Sequence, residues 1–325
     1  MSDSTQISAV IPVHNRAGLL ERLLRTLGEQ TTPVAEIIVV DNNSTDNARD
    51  IARSFGCRVI EFRENVGFAR AVNAGWRASS GSWVAILNSD VELEKRWLEL
   101  LMLHTAGASF VTGTILSMKD QSSLDGTYDL VSRAGCAWRA GHGHKNPEER
   151  GIPRRIATAP ATACLYRRDV LEQLNGFDEV FESYLEDVDL GLRCLRAGLW
   201  GVYVPDAIAR HAGSATFGRW DPRVVRLISR NQLVLIARHY DRALFRSCFW
   251  PIVAGQLLWG LVALRHAAFG AWLRGKWEGL KAFRLQGEPS QALREFLGAS
   301  EREIRLRAHD SYWRWYFRLT PPAAL

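Results

Sequence analysis

Three polar residues, Asn88, Ser89 and Asp90, follow the apolar run at residues 84–87. The run predicts a buried strand, and a carboxylate at the carboxyl end of a strand in an open α/β sheet lies where such sheets bind ligands. An aspartate there can hold a hard divalent cation, which in turn holds phosphate oxygens. The alternative is that Ser89 and Asp90 only turn the chain, or cap the helix expected from about Lys95.

Regular apolar runs around this turn predict the sheet that would position it. We expect strands at residues 7–13, 36–40, 58–62, 84–87, 109–115, 161–167 and 200–204. Amphipathic segments predict helices at about residues 19–27, 45–55, 68–78, 95–105, 168–174 and 187–197. Strands and helices that alternate with short connections predict an α/β fold with a doubly wound, mostly parallel sheet. Residues 117–155 lack periodicity and are rich in glycine, serine and charge, so we expect a functional or mobile loop there.

Composition and missing motifs exclude several classes of protein. The chain contains neither G-x-G-x-x-G in its first turn nor G-x-x-x-x-G-K-[ST], so a dinucleotide fold and a P-loop nucleotidase are not expected. The net charge of +6 over 325 residues is too modest to indicate nucleic acid. Five scattered cysteines without C-x-x-C spacing predict reduced thiols in the cytoplasm. The polar residues 1–6 predict that no signal peptide is present.

Several motifs together resemble the family-2 glycosyltransferases, inverting enzymes with the GT-A fold. The motifs are VIPVHNR, VDNNSTDNA, NVGFARAVNAG, NSD, GFDEVFESYLEDVDLGLRCLRAG and RHAGS. They recur in family order over roughly the first 240 residues, which makes coincidence a poor explanation. Within the family, the set is most similar to bacterial rhamnosyltransferase-type enzymes of cell-surface polysaccharide assembly.

The resemblance implies a nucleotide-sugar pocket at the carboxyl edge of the sheet. It assigns this pocket to Pro12, Val13, Asn15, Asp41, Asn43, Ser44, Arg70, Asn73, Asn88 and Ser89. Asp41 can accept the N3–H of uracil or thymine, and Arg70 can pair with a phosphate. The alternatives are an Asx turn before a helix at residues 41–44 and an ordinary solvated arginine at position 70.

The same resemblance implies a metal site, for Mg²⁺ or Mn²⁺. Asn88-Ser89-Asp90 stands where the family usually has Asp-x-Asp, so the site has one charge fewer and Asp90 becomes the metal-binding carboxylate. The cation would bridge the diphosphate and offset the charge of the leaving group. His211 is a candidate for a further metal or phosphate contact, and the alternative is a purely structural histidine.

Glu186 and Asp187 match the family's catalytic acids. Asp187 is expected to be the base that deprotonates the acceptor hydroxyl, and Glu186 lies beside it, where like charge can raise a carboxyl pKa. The alternative is a run of acids that favours a helix N-terminus. Asp189 is expected to be structural and to pair with Arg193 one helical turn later.

The last third of the chain predicts a basic, aromatic, helical region. We expect a GT-A nucleotide-sugar-binding and catalytic domain at residues 1–220 and a helical extension at residues 221–325, with a helix at residues 223–240. Residues 248–264 are uncharged and at the lower limit of length for a membrane span, although Pro251, Gly255, Gln256 and Gly260 disfavour a span. The basic amphipathic pattern that follows comprises Trp272, Trp277 and Phe283 against Arg274, Lys276, Lys281 and Arg284. It is typical of helices that lie on an anionic membrane, and the alternative is a helical subdomain packed on the sheet. The aromatic residues 312–317 predict an interfacial or dimer-forming patch.

Taken together, these features predict transfer of a sugar, with rhamnose as one candidate, from a UDP- or dTDP-sugar to a hydroxyl group. The acceptor is expected to be a glycan or a polyprenyl-linked sugar, and the protein to be cytoplasmic and peripheral on the inner face of the cell membrane. Two other classes stay open. A sugar-nucleotide pyrophosphorylase would need a glycine-rich, lysine-bearing opening loop, which residues 12–16 are not. A non-catalytic nucleotide- or glycan-binding scaffold would bind the donor without turning it over.

Overall fold

The computed structural model describes residues 6–120, 123–145, 151–213 and 220–322. Its strands are β1 (Ile7–Val13), β2 (Glu36–Asp41), β3 (Arg58–Glu61), β4 (Trp83–Leu87), β5 (Val91–Leu93), β6 (Phe110–Ser117), β7 (Leu124–Gly126), β8 (Asp129–Val131), β9 (Ala137–Arg139), β10 (Arg154–Ile156), β11 (Ala163–Arg167) and β12 (Gly201–His211). Its helices are α1 (Ala17–Gly28), α2 (Ala48–Ser54), α3 (Phe68–Ala78), α4 (Trp97–Met102), α5 (Arg168–Gln173), α6 (Glu186–Arg196), α7 (Pro222–His239), α8 (Arg242–Ser247), α9 (Phe249–Arg265), α10 (Phe269–Lys281), α11 (Gln291–Arg307) and α12 (Ser311–Leu319). Residues 1–5, on which the signal-peptide prediction rests, and Ser214, the last residue of the RHAGS motif, fall outside these ranges.

Within the described ranges, one sheet of ten strands organises the molecule. Its order is β10-β12-β6-β11-β4-β1-β2-β3, with β5 paired to β12 and β7 paired to β6. Strands β4, β1, β2 and β3 are mutually parallel, and β12 runs parallel to β6. Strand β11 is antiparallel to both of its neighbours. The predicted α/β fold with a mostly parallel sheet is therefore confirmed.

The central strands are buried along their whole length because helices cover both faces of the sheet. Strands β1 and β4 show no exposed position. On one face their side chains pack with the apolar stripe of α1 and with α4. On the other face they pack with α3 and with residues of α5 and α6. The continuous apolar runs that predicted these strands follow from this two-sided burial.

The expectation of an irregular loop at residues 117–155 is wrong for the described part of that segment. It contains β7, β8, β9 and β10, each of three residues, and β8 pairs with β9 as a small separate sheet. Strands this short carry no detectable two-residue alternation. Residues 121–122 and 146–150 of the segment fall outside the described ranges.

Strand β12 is also longer than the sequence predicts. It extends from Gly201 to His211 instead of ending at residue 204. Pro205 interrupts the apolar run, but the register with β6 shifts between Val204 and Ile208, and this irregularity accommodates the proline. The extension makes His211 the last residue of a sheet strand.

The C-terminal helices pack against the rest of the molecule. Ile304 of α11 and Trp313 and Tyr316 of α12 join the core beneath α3 and β11. In the parts of the chain that are described, no helix combines the length and apolar character needed to cross a bilayer. The five cysteines all lie in these parts, and all are free and buried.

Two details of the expected C-terminal surface are wrong. Lys276 is buried, and its ammonium donates to the carbonyl of Ser229 and to the side-chain oxygens of Gln232 and Gln256. Of the aromatic residues 312–317, only Trp315 is more than half exposed, because α12 turns its other rings toward α9 and the core. The segment is therefore mainly part of the interior.

Candidate active site

The turn at Asn88-Ser89-Asp90 brings Asp90 against His211. Strand β5 begins directly after Asp90 and pairs antiparallel with the end of β12, so that Val91 lies opposite His211. The amide of Ala212 donates to the carbonyl of Asp90 at 3.0 Å. As a result, Nε2 of His211 lies 3.2 Å from Oδ1 of Asp90, and each side chain is only 12% exposed. The two predicted metal ligands are therefore neighbours.

Asp125 of β7 holds the other side of the His211 ring. Its Oδ2 lies 2.8 Å from Nδ1 of His211. Burial lowers the pKa of His211, but the hydrogen bonds with Asp125 and Asp90 outweigh burial and raise it to about 9. Burial raises the pKa of Asp125, whereas the hydrogen bond from His211 and the charge of Arg139 bring it down to about 2.

This arrangement fits a divalent cation. A carboxylate that binds one imidazole nitrogen and aims the other at a ligand position is the usual support of a metal-binding histidine. Mg²⁺ in phosphate sites is commonly held by one or two carboxylates together with substrate oxygens. A cation between Asp90 and His211 would take the place of the Nε2 proton. Across the described ranges, no three His, Cys, Asp or Glu side chains form a metal cluster by themselves.

The predicted base lies at the start of α6. Oδ2 of Asp187 accepts a hydrogen bond from the amide of Ala161 at 3.1 Å, and Oδ1 accepts one from the amide of Val188 at 2.8 Å. The carbonyl of Thr162, one residue after Ala161, accepts a hydrogen bond from the amide of Asn88 at 2.9 Å. A single peptide link therefore joins the base to the turn that carries Asp90.

Glu186, beside Asp187, is buried, and within the described chain its Oε2 has no hydrogen-bond partner. Burial and the charge of Asp187 raise the pKa of Glu186 well above its ordinary value. Burial, followed by the charge of Glu186 and contributions that include Asp90, also raises the pKa of Tyr184 to about 12. The Tyr184 hydroxyl is therefore influenced by the carboxyl groups of both Glu186 and Asp90. The predicted pairing of Asp189 with Arg193 is confirmed at 2.8 Å.

The loop before α6 has an unusual backbone that α7 holds in place. Positive φ angles, near 60–70°, occur at Glu182, Tyr184 and Leu185. Such angles are unfavourable for non-glycine residues and persist only where the surroundings enforce them. Asn231 of α7 donates to three carbonyls of this loop, those of Phe181, Ser183 and Tyr184, at 2.7–2.9 Å. The adjacent Arg230 forms an ion pair with Glu182. The C-terminal helices thereby position Glu186 and Asp187.

The N-terminus of α3 rests on the same loop. The amide of Ala69 donates to the carbonyl of Glu182 at 2.9 Å. Gly67, with φ of +84°, makes this approach possible, because a Cβ there would lie 2.8 Å from that carbonyl oxygen. The glycine of the NVGFARAVNAG motif is therefore required by close backbone packing.

The predicted base pocket lies at the ends of β1 and β2. The carboxylate of Asp41 is 1% exposed and accepts a hydrogen bond from the amide of Ser44 at 3.1 Å, so the Asx turn is present. Pro12 and Val13 are buried at the end of β1.

The side-chain oxygen of Asn15 accepts hydrogen bonds from Thr45, and the backbone amide of Asn15 donates to the hydroxyl of Ser44. Asn43 is exposed with φ of 65°. Direct contact between a base and Asp41 would require this turn to shift.

The prediction that Asn73 binds the nucleotide sugar is wrong. Its side chain is 1% exposed. Its amide nitrogen donates to the carbonyl of Phe177 and to Glu179, and its oxygen accepts from Trp76 and from the amide of Phe177. All four hydrogen-bonding positions are therefore occupied. Asn73 ties α3 to residues 177–179. Arg70, by contrast, is 57% exposed, with its nearest carboxylate, that of Glu179, at 4.0 Å.

Arg139 was not predicted, and it lies among the acidic residues of the site. Its guanidinium lies 3.3 Å from Asp129 and 3.9 Å from Asp125, and it donates to the hydroxyl of Thr162. Burial lowers the pKa of Arg139, but the charges of Asp129, Asp125 and Asp187 raise it above its ordinary value. Gly126 makes room for the side chain, because a Cβ there would lie 2.0 Å from Cγ of Arg139. The short strands around Arg139 left no signal in the sequence.

Known proteins resemble the chain in sequence. A probable glycosyltransferase of Bacillus subtilis, YdaM, is 26% identical over 249 residues, which cover 73% of this chain and 57% of that protein. An N-acetylglucosaminyl-diphospho-decaprenol L-rhamnosyltransferase of Mycobacterium tuberculosis is 30% identical over 232 residues, which cover 62% of this chain and 74% of that protein. The chain spans about half the length of the first curated relatives that it matches.

A solved structure shares the fold. The mannosyltransferase PcManGT from Pyrobaculum calidifontis, in complex with GDP-Man and Mn²⁺, aligns with a TM-score of 0.53 over 96% of this chain and 83% of that chain, at 18% identity. This likeness confirms the expected GT-A architecture. The sequence profile described as Glycosyl transferase family 2 matches residues 8–174, just over half of the chain. The chain therefore belongs to glycosyl transferase family 2.

Proposed function

We propose that the protein is an inverting glycosyltransferase that moves a sugar from a nucleoside diphosphate donor to a hydroxyl group of its acceptor. Asp187 is the proposed base, and Asp90 with His211 are the proposed metal ligands. Membership of glycosyl transferase family 2 supports the transfer chemistry. The PcManGT structure, which contains GDP-Man and Mn²⁺, supports a sugar-nucleotide donor and a divalent cation.

The observation that carries this proposal is the peptide link between two corners of the site. The amide of Ala161 binds Asp187, and the carbonyl of the next residue, Thr162, binds the amide of Asn88. Because Asn88 begins the turn that ends at Asp90, the backbone holds the proposed base and the proposed metal ligand in one frame. Direct displacement needs such a frame, since the base and the leaving group act on opposite sides of the anomeric carbon.

The chain's residues account for the proton and the charges. Asp187 takes the proton of the acceptor hydroxyl while the hydroxyl oxygen bonds to the anomeric carbon, and the bond from that carbon to the diphosphate breaks with its electron pair. Burial and the charge of Asp187 raise the pKa of Glu186, which disfavours a second negative charge beside the base. A divalent cation held by Asp90 and His211 would offset the charge on the departing diphosphate.

The finer parts of the function stay predictions. We infer a UDP- or dTDP-sugar donor because Asp41 ends β2 beside the polar turn at residues 42–45, and this inference requires the turn to shift when the base binds. Rhamnose and a lipid-linked or polysaccharide acceptor follow the similarity to the M. tuberculosis rhamnosyltransferase. A place at the inner face of the membrane, a boundary near residue 220 and a homodimer through the C-terminal helices are further predictions.

A donor screen tests the transferase proposal. The protein is incubated with UDP-, dTDP- and GDP-sugars, with and without Mn²⁺, and release of the nucleoside diphosphate is measured as the sugar passes to water or to an added hydroxyl acceptor. A transferase releases it, whereas a binding scaffold retains the donor intact and a pyrophosphorylase instead forms pyrophosphate from a nucleoside triphosphate and a sugar phosphate. Binding without release from any donor would contradict the proposal.

The variant Asp187→Asn tests the base. We expect turnover to fall by about 10²–10⁴-fold with nucleotide binding unchanged, because the amide cannot take the proton. Asp169→Asn is the matched control, since Asp169 lies on α5, is 64% exposed and pairs only at the surface with Arg167. Normal turnover in a folded Asp187→Asn protein would overturn the assignment.

A further inference from the structure

Helices α9 and α10 expose two apolar stripes. On α9 the stripe contains Leu257, Leu261 and Leu264, and on α10 it contains Leu273, Trp277 and Leu280. Each of these side chains is between 55% and 62% exposed. Spacings of three and four residues place each set on one face of its helix. The two helices are in contact, because a Cβ on Gly260 of α9 would lie 2.8 Å from the Trp272 ring of α10.

The exposure of these stripes does not result from poor packing of α9 and α10. The opposite face of α9 buries Ile252, Gln256 and Ala263, and α10 buries Gly275 against the backbone of α7. A single exposed leucine is ordinary in a soluble protein, but large apolar residues that line two adjacent helices usually mark an interaction surface. The stripes therefore need an occupant.

The charges around the stripes select the kind of occupant. Residues 249–281 contain a single acidic residue, Glu278, which already pairs with Arg226 at 2.6 Å and with Arg274 at 3.0 Å. Arg265 and Lys281 are exposed at the ends of the two helices, and the ammonium of Lys281 lies 3.3 Å from the centre of the Trp277 ring. An apolar face bordered by cations complements the headgroups and the acyl boundary of an anionic membrane.

We propose that this α9–α10 face, defined by the six stripe residues above, docks on an anionic lipid surface. A second copy of the chain is a poorer occupant, because a symmetric contact would oppose this face to itself, and the face offers the cations of Arg265 and Lys281 but no free carboxylate to pair with them. The two helices would lie in the plane of the interface with their leucine and tryptophan side chains in the acyl boundary.

Helix α7 connects the docking face to the candidate active site, because Arg226 of α7 pairs with Glu278 of α10. The turn between α9 and α10 carries His266, whose ring stacks on Trp220 at 3.7 Å. Trp220 directly precedes Asp221 and the start of α7, and Asn231 of α7 donates to the carbonyl of Tyr184 at 2.7 Å. If the protein transfers sugars as proposed above, a lipid-linked acceptor could enter the site while its lipid stays in the membrane. This last consequence rests on the proposed function, whereas lipid docking does not.

Vesicle flotation with the full chain tests the docking. Wild type is mixed at low salt with vesicles of phosphatidylcholine alone or with added phosphatidylglycerol. We expect binding to the anionic vesicles only, and at least about a hundredfold weaker binding by Leu261→Glu/Trp277→Glu, which removes two inserted side chains. Arg265→Glu/Lys281→Glu is expected to weaken binding by at least about 25-fold, from a contribution of about fivefold for each of the two cations. Leu103→Glu, at the 68% exposed Leu103 beyond α4, is the matched control and should bind as wild type.

Each other outcome overturns the docking proposal. Wild type that floats with neither kind of vesicle would overturn it, as would a stripe variant that binds like wild type. A wild-type dimer that Leu261→Glu/Trp277→Glu converts to a monomer would assign the face to self-association. Donor breakdown in solution, measured in the same variants, keeps the two proposals separate, because the stripe variants should retain it whether or not they bind lipid.

Discussion

Replacing Arg139 by methionine removes the cation that the acidic residues of the site share while keeping most of the side chain's length. The guanidinium lies 3.3 Å from Asp129 and 3.9 Å from Asp125, and the Arg139 side chain is 26% exposed. Removal of one partner from a fully buried ion pair costs about 3–5 kcal/mol. Because Arg139 is partly open to solvent, we expect the free energy of unfolding at pH 8 to fall by about 2–3 kcal/mol.

The loss should depend on pH through Asp129. Burial raises the pKa of Asp129 from 3.8 to about 6, even though Arg139 opposes the rise. A carboxyl group whose pKa is higher in the folded than in the unfolded protein destabilises the fold above the folded pKa, and this effect fades as pH falls toward 4. Without Arg139 the pKa rises further, so the variant suffers most at pH 8. At pH 5 Asp129 is largely protonated in both proteins, and the loss should be about 1 kcal/mol smaller.

Urea unfolding of wild type and variant at pH 8 and pH 5 measures both effects. Arg167→Met is the matched control, because its pair with Asp169 is shorter, at 2.6 Å, but exposed on both sides. Such a pair contributes less than about 1 kcal/mol. Arg139 does not hold these carboxylates as described if Arg139→Met loses no more stability than Arg167→Met at pH 8, or if its loss is the same at both pH values.

Two further variants probe groups that act through their neighbours. Asp125→Asn should weaken Mn²⁺ binding by about 10–100-fold, because Asp125 orients His211. Titration with Mn²⁺ in the presence of a nucleoside diphosphate measures this affinity, and an unchanged affinity would show that Asp125 does not support the metal site. Asn231→Ala releases three carbonyls of the loop before α6 and should lower kcat by about 10–100-fold with little change in the KM for the donor. Circular dichroism must show that the variant is folded, because partial unfolding would also lower the apparent kcat without changing KM. An unchanged kcat in the folded variant would contradict the positioning role of Asn231.

The sequence predicted the first half of the sheet because its strands carry their own signal. Strands β1 and β4 are covered on both faces, which selects unbroken apolar runs. The polar residues that follow these strands lie at the carboxyl edge of the sheet, as expected. The predicted end of β12 was too early, at residue 204, because the sequence pattern cannot show that the pairing with β6 tolerates a register shift beside Pro205.

The site was only partly predictable, because motifs name residues but do not show which way their side chains face. Asp90 and His211 were both named from motifs, and the structure brings them together. Asn73 was named from the same kind of motif, but its side chain faces inward and is saturated by hydrogen bonds. Asp125 and Arg139 were missed because strands of three residues have no period from which an orientation could be inferred.

The sequence by itself therefore determined the family and the α/β fold, and it supplied the acids proposed for the site, because these depend on local runs and on ordered motifs. Only the tertiary structure decided which carboxylates share Arg139, which motif residue is interior, and that Lys276 is buried while the leucines of α9 face outward. These outcomes depend on contacts between segments far apart in the chain. Burial and charge pairing across those contacts set each side chain's environment, and no local pattern encodes them.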